Sequence, residues 1–518
     1  MNAPEHFDVV VVGAGSSGAT LAARLTERAD RRVLLLDSGP DRPPHTAGHA
    51  AGVDRVPGRD PDRLPGDSDS RVTATPVETG ASGVRTQFLR GRMVGGSSAL
   101  NGAYFVRPTR ADLDGWAAAG HDRWSFQQLL PALRRLESDL DLGGTELHGA
   151  AGPIPVQRHK APLHPLTAAF FGACEAAGHP EHVDLNDGGD RGWGPVPRNV
   201  DHGGRVDTAM AYLDPVRDRP NLTIRGGWAV SDLLVDRGRV VGVQRRGPSG
   251  ADEVVRADQV VLCAGALGSP VLVERAFAAM DERVTSRVRR SRELSAATTL
   301  TDVDPFVSLH PAVDLYFEPV DSIDLDAAPL VQGALHHLLD SGATAEVLAI
   351  CRPYGRATGV APQDRSLSLR VSLMTARTLA RRHAGSAGGW LELRGPDRWH
   401  PQDRADLREA VRSVATFATS APLAAVITSW HGPSPSELSS DASLDRWISQ
   451  RVVVSMHAAG SATMGPAGDP GAVVDQLGRV HGVDGVRIAD TSILPALPSR
   501  GPACMAIAIA EHLAPTFD

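Results

Sequence analysis

The stretch Phe7-Asp-Val-Val-Val-Val-Gly-Ala-Gly-Ser-Ser-Gly18, followed by Val33-Leu-Leu-Leu-Asp37, decides the fold of this chain. The run Val9 to Val12 is short, β-branched and continuously apolar, which is typical of a strand buried on both faces of a parallel sheet. Three glycines follow at once, then an alanine- and leucine-rich helix, and then a second apolar strand that ends on a carboxylate. This order of strand, helix and strand predicts a Rossmann-like α/β domain.

The glycines of this stretch each have a mechanical role. Gly13 permits the tight turn from strand to helix, Gly15 lets the backbone approach a pyrophosphate, and Gly18 lets the helix pack on the strand. The helix N-terminus offers free N–H groups to the phosphates. Asp37 lies 19 residues beyond Gly18 (37 − 18), where it can accept hydrogen bonds from ribose hydroxyls. The stretch therefore predicts dinucleotide binding over a plain glycine-rich turn, and it leaves open whether the ligand is FAD or NAD.

The composition limits the classes of function. The 518 residues suffice for two or three domains, and the net charge of −8 argues against a nucleic-acid-binding surface. The cysteines Cys174, Cys263, Cys351 and Cys504 form no CxxC pair, so neither a metal site nor a disulfide framework is expected. The N-terminus lacks a basic leader, and no apolar run reaches the about 20 residues of a spanning helix. We therefore expect a cytoplasmic protein, with peripheral membrane contact left open.

A second glycine-rich motif, Gly91-Arg-Met-Val-Gly-Gly-Ser-Ser-Ala-Leu-Asn-Gly102, follows a long stretch rich in proline and charge. Its glycines and serines supply close backbone and hydroxyl donors, which suit an anion or the polar edge of a flat ring. Asn101 adds an amide. Taken alone, the motif is equally typical of a structural Gly-Ser turn.

Together, the two motifs resemble the first signature of the glucose–methanol–choline (GMC) family of FAD-dependent oxidoreductases. The stretches Tyr104–Trp116, Trp124–Glu137 and His148–Pro153 are similar to that family as well. The resemblance implies an FAD-binding domain with a parallel sheet and a β-meander, joined to an α+β substrate cap. Leu100 stands where some relatives attach the flavin through a histidine, so the resemblance implies non-covalent FAD. The cofactor-binding residues that it implies are Gly13, Gly15, Ser16, Ser17, Gly18, Asp37, Arg92, Gly95, Gly96, Ser97, Asn101, Gly102, Val230, Asp490 and Ala503.

The middle of the chain is less similar to the family. Residues 221–225, 230–235 and 240–243 alternate like meander strands, and Val260–Pro270 is typical of a buried strand followed by a glycine turn. From 271 to 304 the sequence is strongly charged and lacks the family's glycine turn, so we expect a charged surface helix. Within it, Leu300–Pro305 resembles a family motif but lacks its histidine.

These patterns predict two domains. Residues 1–154, 216–304 and 451–518 are expected to form a discontinuous FAD-binding domain, and residues 155–215 and 305–450 the cap. In the cap, residues 307–317 and 367–373 alternate as strands, residues 389–393 are expected to pair with them, and residues 403–419 have a helical pattern. Strands on one face and helices on the other indicate an α+β layer.

The stretch Val452–Gly465 carries the chemistry. Oxidising an alcohol by hydride transfer to flavin N5 requires a base for the hydroxyl proton and a dry pocket. An imidazole, with a pKa of about 6.5, suits that base at neutral pH. His457 stands where the family keeps its catalytic histidine, so the resemblance assigns it this role. His481, in an Arg-Val-His-Gly turn, is expected to be structural.

The partner of His457 is an open question in the sequence. The family pairs this histidine with an asparagine or histidine after the last proline-containing turn, and Gly501 occupies that position here. The partner then comes from elsewhere, with Arg500 the nearest candidate, or His457 acts alone. Ordinary choline or glucose oxidation is less favoured for this reason.

The ending Pro498-Ser-Arg-Gly-Pro-Ala503 resembles the mycofactocin-associated members of the family. That resemblance implies a mycofactocinol-type hydroquinone or an alcohol as the donor, with electrons passed to a respiratory acceptor. A generic alcohol oxidase using oxygen and a flavin-binding protein with impaired catalysis are the alternatives.

Overall fold

The computed structural model describes residues 5–41, 71–79, 84–158, 163–277, 306–325, 328–352, 365–377, 379–383, 390–393 and 399–517. Within these residues, no helix has both the length and the apolar character needed to cross a bilayer. The helices are α1 Ser16–Leu25, α2 Arg110–Ala118, α3 Phe126–Arg135, α4 Pro165–Ala176, α5 Ser269–Phe277, α6 Pro401–Ala418, α7 Ala421–Ala424, α8 Pro435–Leu438, α9 Asp441–Ser449 and α10 Ala503–Leu513. The strands are β1 His6–Val12, β2 Val33–Leu36, β3 Val72–Thr79, β4 Val84–Gly91, β5 Glu137–Asp139, β6 Ile154–Arg158, β7 Gly192–Pro195, β8 Pro197–Arg198, β9 Val200–Asp201, β10 Gly204–Arg205, β11 Leu222–Arg225, β12 Ala229–Asp236, β13 Arg239–Arg246, β14 Asp252–Leu262, β15 Phe306–Ser308, β16 Pro311–Pro319, β17 Gly333–Leu338, β18 Thr344–Ile350, β19 Leu367–Leu373, β20 Leu379–His383, β21 Trp390–Leu393, β22 Ile427–Trp430, β23 Val453–Val454 and β24 Val486–Ile488.

The opening motif lies at the centre of a seven-stranded sheet. Its strand order is β11-β2-β1-β14-β13-β12, and β24 pairs with β14. β1 runs parallel to both β2 and β14, and the apolar residues of β1 and β2 are buried. Helix α1 lies between β1 and β2 in the chain, so the predicted Rossmann-like unit is confirmed.

The β-meander consists of β12, β13 and β14, which are antiparallel neighbours. The prediction that residues 221–225 belong to it is wrong, because β11 pairs in parallel with β2. The Asn221 side chain donates to the carbonyl groups of Thr26, Arg28 and Arg31, which holds the start of β11 against the edge of β2. An alternating pattern has the same period in either sheet position, so it could not distinguish them.

A second seven-stranded sheet has the order β22-β16-β19-β18-β17-β7, with β23 paired to β16. Helices α4 and α6 cover one face of it, where apolar side chains such as Val313, Leu335, Val347 and Val371 pack. β19 is buried along its whole length. Apolar and polar side chains therefore alternate along β19, and both kinds are buried. The polar side chains lie on the face of the sheet that is turned away from the helices.

The predicted pairing of residues 389–393 with residues 367–373 is wrong. β21 instead pairs with β20 and β3 in a five-stranded sheet of order β15-β20-β21-β3-β4. The physical reason is that β16 and β18 already occupy both edges of β19, which leaves no edge for a third strand.

The buried apolar residues form two large clusters. One is built from segments within residues 7–36, 94–156, 206–277 and 459–517, and the other mainly from residues 307–454 with helix α4. The first cluster includes residues 206–213, which were expected in the cap, and the division into a cofactor domain and a cap stays a prediction. Of the expected charged helix at 271–304, α5 covers the start and residues 278–304 lie outside the described residues.

Candidate active site

Two glycine turns face each other at the carboxyl end of β1. Gly13 has a φ of +100°, and a Cβ placed there would lie 2.5 Å from the carbonyl oxygen of Cys263. A Cβ on Gly96 would lie 2.6 Å from the Cα of Gly15. Gly18 allows the close helix packing that was predicted, since a Cβ there would lie 1.8 Å from the Gly13 carbonyl oxygen. The glycines of these two turns present no side chains, so a ligand bound there would contact main-chain atoms.

Helix α1 begins at the first of these turns. Gly15 is its N-cap, and no side chain caps the helix. Its first N–H groups and its positive dipole end are therefore free to stabilise an anion. Ser16 opens the helix, while the Ser17 hydroxyl donates to the Ala506 carbonyl oxygen at 2.7 Å and so joins α1 to α10.

Asp37 ends β2 beside the same turn. Its carboxylate accepts hydrogen bonds from the N–H groups of Ala14, at 2.8 Å, and Gly39, at 2.7 Å. Burial raises the pKa of Asp37 to about 6, so the group is ionised at neutral pH. Open main chain, an uncapped helix N-terminus and this carboxylate fit the pyrophosphate and ribose of FAD.

The second motif forms a short helical turn at Gly96–Ala99. The Ser97 hydroxyl accepts from the Gly91 N–H at 3.1 Å, and the Asn101 side chain accepts from the Ala103 N–H at 3.0 Å. These polar side chains stabilise the turn that brings Gly96 against Gly15. Leu100 is buried and has no atom able to bond covalently to a flavin.

Asp490 has a different environment from the one that a ligand contact would give. Its carboxylate accepts from the Gly265 N–H at 2.8 Å and from the Ser269 hydroxyl at 2.5 Å. It also accepts from the N–H and hydroxyl of Ser492, at 2.9 and 2.5 Å. Both oxygens are occupied by protein donors, so Asp490 joins two turns and would reach FAD only through its main chain.

The remaining implied positions lie on three elements. Arg92 and Gly102 flank the second glycine motif, and Val230 lies near the start of β12. Ala503 is the first residue of α10, a helix with no side-chain cap at its N-terminus. Their contacts with FAD stay predictions. His481 hydrogen-bonds the Gly465 carbonyl oxygen at 2.9 Å, in agreement with a structural role.

His457 meets a second histidine, His310, that sequence reasoning missed. Their Nδ1 atoms lie 2.9 Å apart, and the two rings are nearly perpendicular. The His310 side chain is buried, and that of His457 is half-buried. Arg500, the expected candidate, donates instead to the carbonyl oxygens of Ser499, at 2.6 Å, and Gly189, at 3.2 Å. The partner of His457 is therefore His310.

The register of the cap sheet explains this contact. Pro311 and Ala312 of β16 pair with Val454 and Val453 of β23, and the Ser455 N–H donates to the His310 carbonyl oxygen at 2.9 Å. The pairing brings Ser455, two residues before His457, beside His310. The available signal was a histidine followed by proline, five residues beyond Pro305.

Gly501 lies against the other ring nitrogen of His457. A Cβ on this residue would lie 3.2 Å from His457 Nε2 and 3.4 Å from Cδ1 of Tyr104. An asparagine or histidine at this position would press on both rings. Because residue 501 is a glycine, no side chain from this position contacts His457 Nε2 or the Tyr104 ring.

Burial sets the protonation state of both histidines. It lowers the pKa of His457 to about 4, an effect to which the positive charge of Arg370 adds and which the carboxylate of Glu346 opposes. Burial also holds the pKa of His310 well below its usual range. Both imidazoles are consequently neutral at pH 7, the state in which a ring nitrogen can accept a proton.

Glu346 and His336 form a second polar group, which contacts the Tyr104 hydroxyl and was not predicted from the sequence. Glu346 and His336 are cross-strand neighbours on β18 and β17, and Glu346 Oε2 lies 3.3 Å from His336 Nε2. The Tyr104 hydroxyl donates to the same carboxylate oxygen. Although burial raises the pKa of Glu346, hydrogen bonds from His336 and Tyr104 bring it down to about 2. The carboxylate is therefore ionised.

Comparison with known proteins gives one consistent match. Residues 7–289 and 392–510 match the N- and C-terminal models of the GMC oxidoreductases. The chain is 33% identical, over 99% of its length and 98% of the relative, to an uncharacterised GMC-type oxidoreductase of Rhodococcus erythropolis. It is 31% identical to an oxygen-dependent choline dehydrogenase of Stenotrophomonas maltophilia, over 99% of the chain and 95% of the relative. Pyridoxine 4-oxidase from Mesorbium loti has a similar structure, with a TM-score of 0.83, 27% identity and 99% coverage of both chains.

Proposed function

The chain belongs to the GMC oxidoreductase family, and on that premise we propose that it oxidises a small alcohol with His457 as the base. It is an FAD-dependent oxidoreductase with a Rossmann-like cofactor domain and a second, substrate-side sheet. The names of two similar proteins, a choline dehydrogenase and a pyridoxine 4-oxidase, support an alcohol as the donor. The observation that carries the proposal is the half-buried, neutral His457, whose Nε2 lies beside Gly501.

The contact with His310 is compatible with Nε2 of His457 as the nitrogen that acts. For Nε2 of His457 to accept the alcohol proton, Nδ1 must carry the ring hydrogen. That hydrogen is then donated to Nδ1 of His310, 2.9 Å away, so the neutral His310 must carry its own hydrogen on Nε2. His310 thus selects the tautomer of His457 and holds its ring in place, and it stabilises the imidazolium that forms when the proton arrives.

The proton and the hydride leave the same alcohol. His457 Nε2 takes the hydroxyl proton, which raises the electron density on the oxygen and makes the neighbouring C–H a hydride donor. FAD, when bound, supplies the acceptor for that hydride. The alcohol becomes an aldehyde or ketone, with two electrons and one proton transferred as hydride and the second proton held on His457.

The experiment is anaerobic reduction of the FAD-loaded protein by candidate donors. Benzyl alcohol, pyridoxine, choline and a mycofactocinol-type hydroquinone are each mixed with the protein, and the visible flavin absorbance is followed. Bleaching by at least one alcohol is the expected result. If all alcohols leave the oxidised flavin band unchanged, alcohol oxidation is the wrong function.

The narrower donor and the acceptor are further parts of the proposal. The stretch Pro498–Ala503 supports mycofactocinol oxidation with electrons passed to a respiratory acceptor, at a peripheral membrane contact or in the cytoplasm. The names of the similar choline dehydrogenase and pyridoxine oxidase favour oxygen as the acceptor instead. Hydrogen peroxide release in air distinguishes the two. Impaired catalysis was suggested by Gly501 and by the atypical segment 271–304; the first of these grounds is weakened because His310 supplies the partner that residue 501 does not.

A further inference from the structure

Four polar side chains form a cluster next to the proposed base: the partly buried Tyr104 and the buried His336, Glu346 and Arg500. Tyr104 and His336 both contact Oε2 of Glu346, and Tyr104 also lies 3.4 Å from His336 Nε2. Arg500 interacts electrostatically with Tyr104 and Glu346. We call these four residues the polar cluster.

The polar cluster adjoins the point at which the alcohol would react. Tyr104 Cδ1 and His457 Nε2 both lie within 3.4 Å of the place where a Gly501 side chain would begin. Glu346 and His457 influence each other's charge, so they share one low-dielectric environment. A molecule held at His457 therefore has the polar cluster one tyrosine ring away.

The hydrogen bonds of the polar cluster are incomplete. Nδ1 of His336 and Nε of Arg500 are buried without a partner. Oε2 of Glu346 has two neighbours, the Tyr104 hydroxyl and His336 Nε2. Buried polar atoms in folded proteins are normally satisfied, so a purely structural network would be expected to close these bonds. Open acceptors and donors beside a reaction centre are typical of a ligand subsite.

The charges restrict what the cluster can take. Glu346 is an anion that can accept a hydrogen bond, but Arg500 carries a permanent positive charge within the same group. A quaternary ammonium has no hydrogen to donate and would meet the guanidinium. A hydroxyl can donate to Glu346 and still accept from Arg500, and a neutral N–H can donate to Glu346.

We propose that the polar cluster is a recognition subsite for a second polar group of the donor, a hydroxyl or N–H that donates to Glu346, and that it selects against quaternary ammonium alcohols. The subsite rests on the proposed alcohol oxidation, since His457 must hold the reacting end of the same molecule. Glu346 is the residue that decides the preference.

The probes are the three hydroxybenzyl alcohols, their methyl ethers, benzyl alcohol and choline. Each ether differs from its phenol only by loss of the O–H donor. Rates and dissociation constants come from anaerobic flavin reduction in the stopped flow, with protein loaded with FAD. We expect at least one phenol to exceed its ether by tenfold or more in the rate divided by the dissociation constant, with the difference mainly in binding, and choline to be the poorest donor.

The variant Glu346→Gln tests the assignment. The ratio of phenol to ether is used because both donors share His457, so any change in the base cancels. The ratio should fall to within twofold in Glu346→Gln, whereas Glu318→Gln, in β16 of the same sheet and paired with His431, should keep the parent ratio. Circular dichroism and FAD content verify that both variants are folded.

The outcomes separate the two proposals. If the alcohols bleach the flavin but the parent shows no preference for a phenol, or prefers choline, the subsite is wrong and alcohol oxidation stands. A Glu346→Gln variant that keeps the parent ratio also overturns the subsite. If no alcohol bleaches the flavin, alcohol oxidation fails, and the subsite fails with it.

Discussion

The two ends of the FAD site are built in opposite ways. The proposed nucleotide end is main chain from two short motifs, in which Gly13, Gly15 and Gly96 present no side chain. The reactive end is made of side chains that lie far apart in the sequence, such as His310, Glu346 and His457. A short motif is enough for the first end, while the second requires the register of a whole sheet. The two ends should therefore fail differently when they are changed.

Loss of the cofactor is the largest expected effect, and it belongs to the nucleotide end. In Gly13→Ala the new Cβ would lie 2.5 Å from the Cys263 carbonyl oxygen, at a φ of +100°. We expect the purified variant to hold less than about a tenth of the parent's FAD, because neither backbone can move away. The control is Gly115→Ala in α2, which has open space around it and should keep full flavin. Parent-like FAD content in Gly13→Ala would refute the main-chain account of this end.

Substitutions at the reactive end should lower the rate of flavin reduction without reducing the FAD content. His310→Phe removes the acceptor that holds Nδ1 of His457, and groups that orient a reacting imidazole are typically worth about 10- to 100-fold. We expect a fall of that size in the rate of anaerobic flavin reduction, with normal FAD content. His310→Asn, whose side-chain oxygen can also accept the hydrogen bond, should recover part of the rate. Equal rates in the Phe and Asn variants would mean that the hydrogen bond has no role.

A smaller effect is expected where the two rings meet. In Gly501→Ala the new Cβ would lie 3.2 Å from His457 Nε2, so the imidazole must shift by a few tenths of an ångström. Misplaced reacting groups lose rate steeply, and we expect about a tenfold lower rate of flavin reduction with an unchanged melting temperature. Gly468→Ala, which has no neighbour within 4 Å, is the matched control. A faster Gly501→Ala variant would show that flavin reduction does not require the absence of a side chain at residue 501.

The smallest effect concerns a charge network remote from this chemistry. Carboxylates of Asp139, Asp184 and Glu137 surround His148; although burial opposes it, their hydrogen bonds raise the pKa of His148 to about 10. Its unfolded pKa is about 6.5. The stabilisation is therefore complete below pH 6.5 and is lost as the pH rises through 10. Urea unfolding should show a stability gap between parent and His148→Gln that shrinks from pH 6 to pH 9.5. A gap independent of pH would mean that His148 is neutral.

Sequence reasoning went furthest where structure is local. The first forty residues predicted β1, α1 and β2, and the helical pattern at 403–419 predicted α6, because neighbouring residues decide these elements. The pairing of β11 and β21 was predicted wrongly, since which strand edge is free depends on the rest of the sheet. Glu346 carries no local signal and His310 only the proline that follows it, and strand register brings both near His457. The implied cofactor contacts of Val230, Arg92 and Ala503 stay predictions.

The central claim is that His457 is the base of the reactive end and plays no part in holding FAD. The most direct measurement is the anaerobic rate of flavin reduction in His457→Ala, with the exposed His6→Ala as the control. We expect His457→Ala to keep its FAD and to reduce it about 100- to 10,000-fold more slowly with the same alcohol, while His6→Ala matches the parent. A His457→Ala protein that reduces its flavin at the parent's rate would contradict the account.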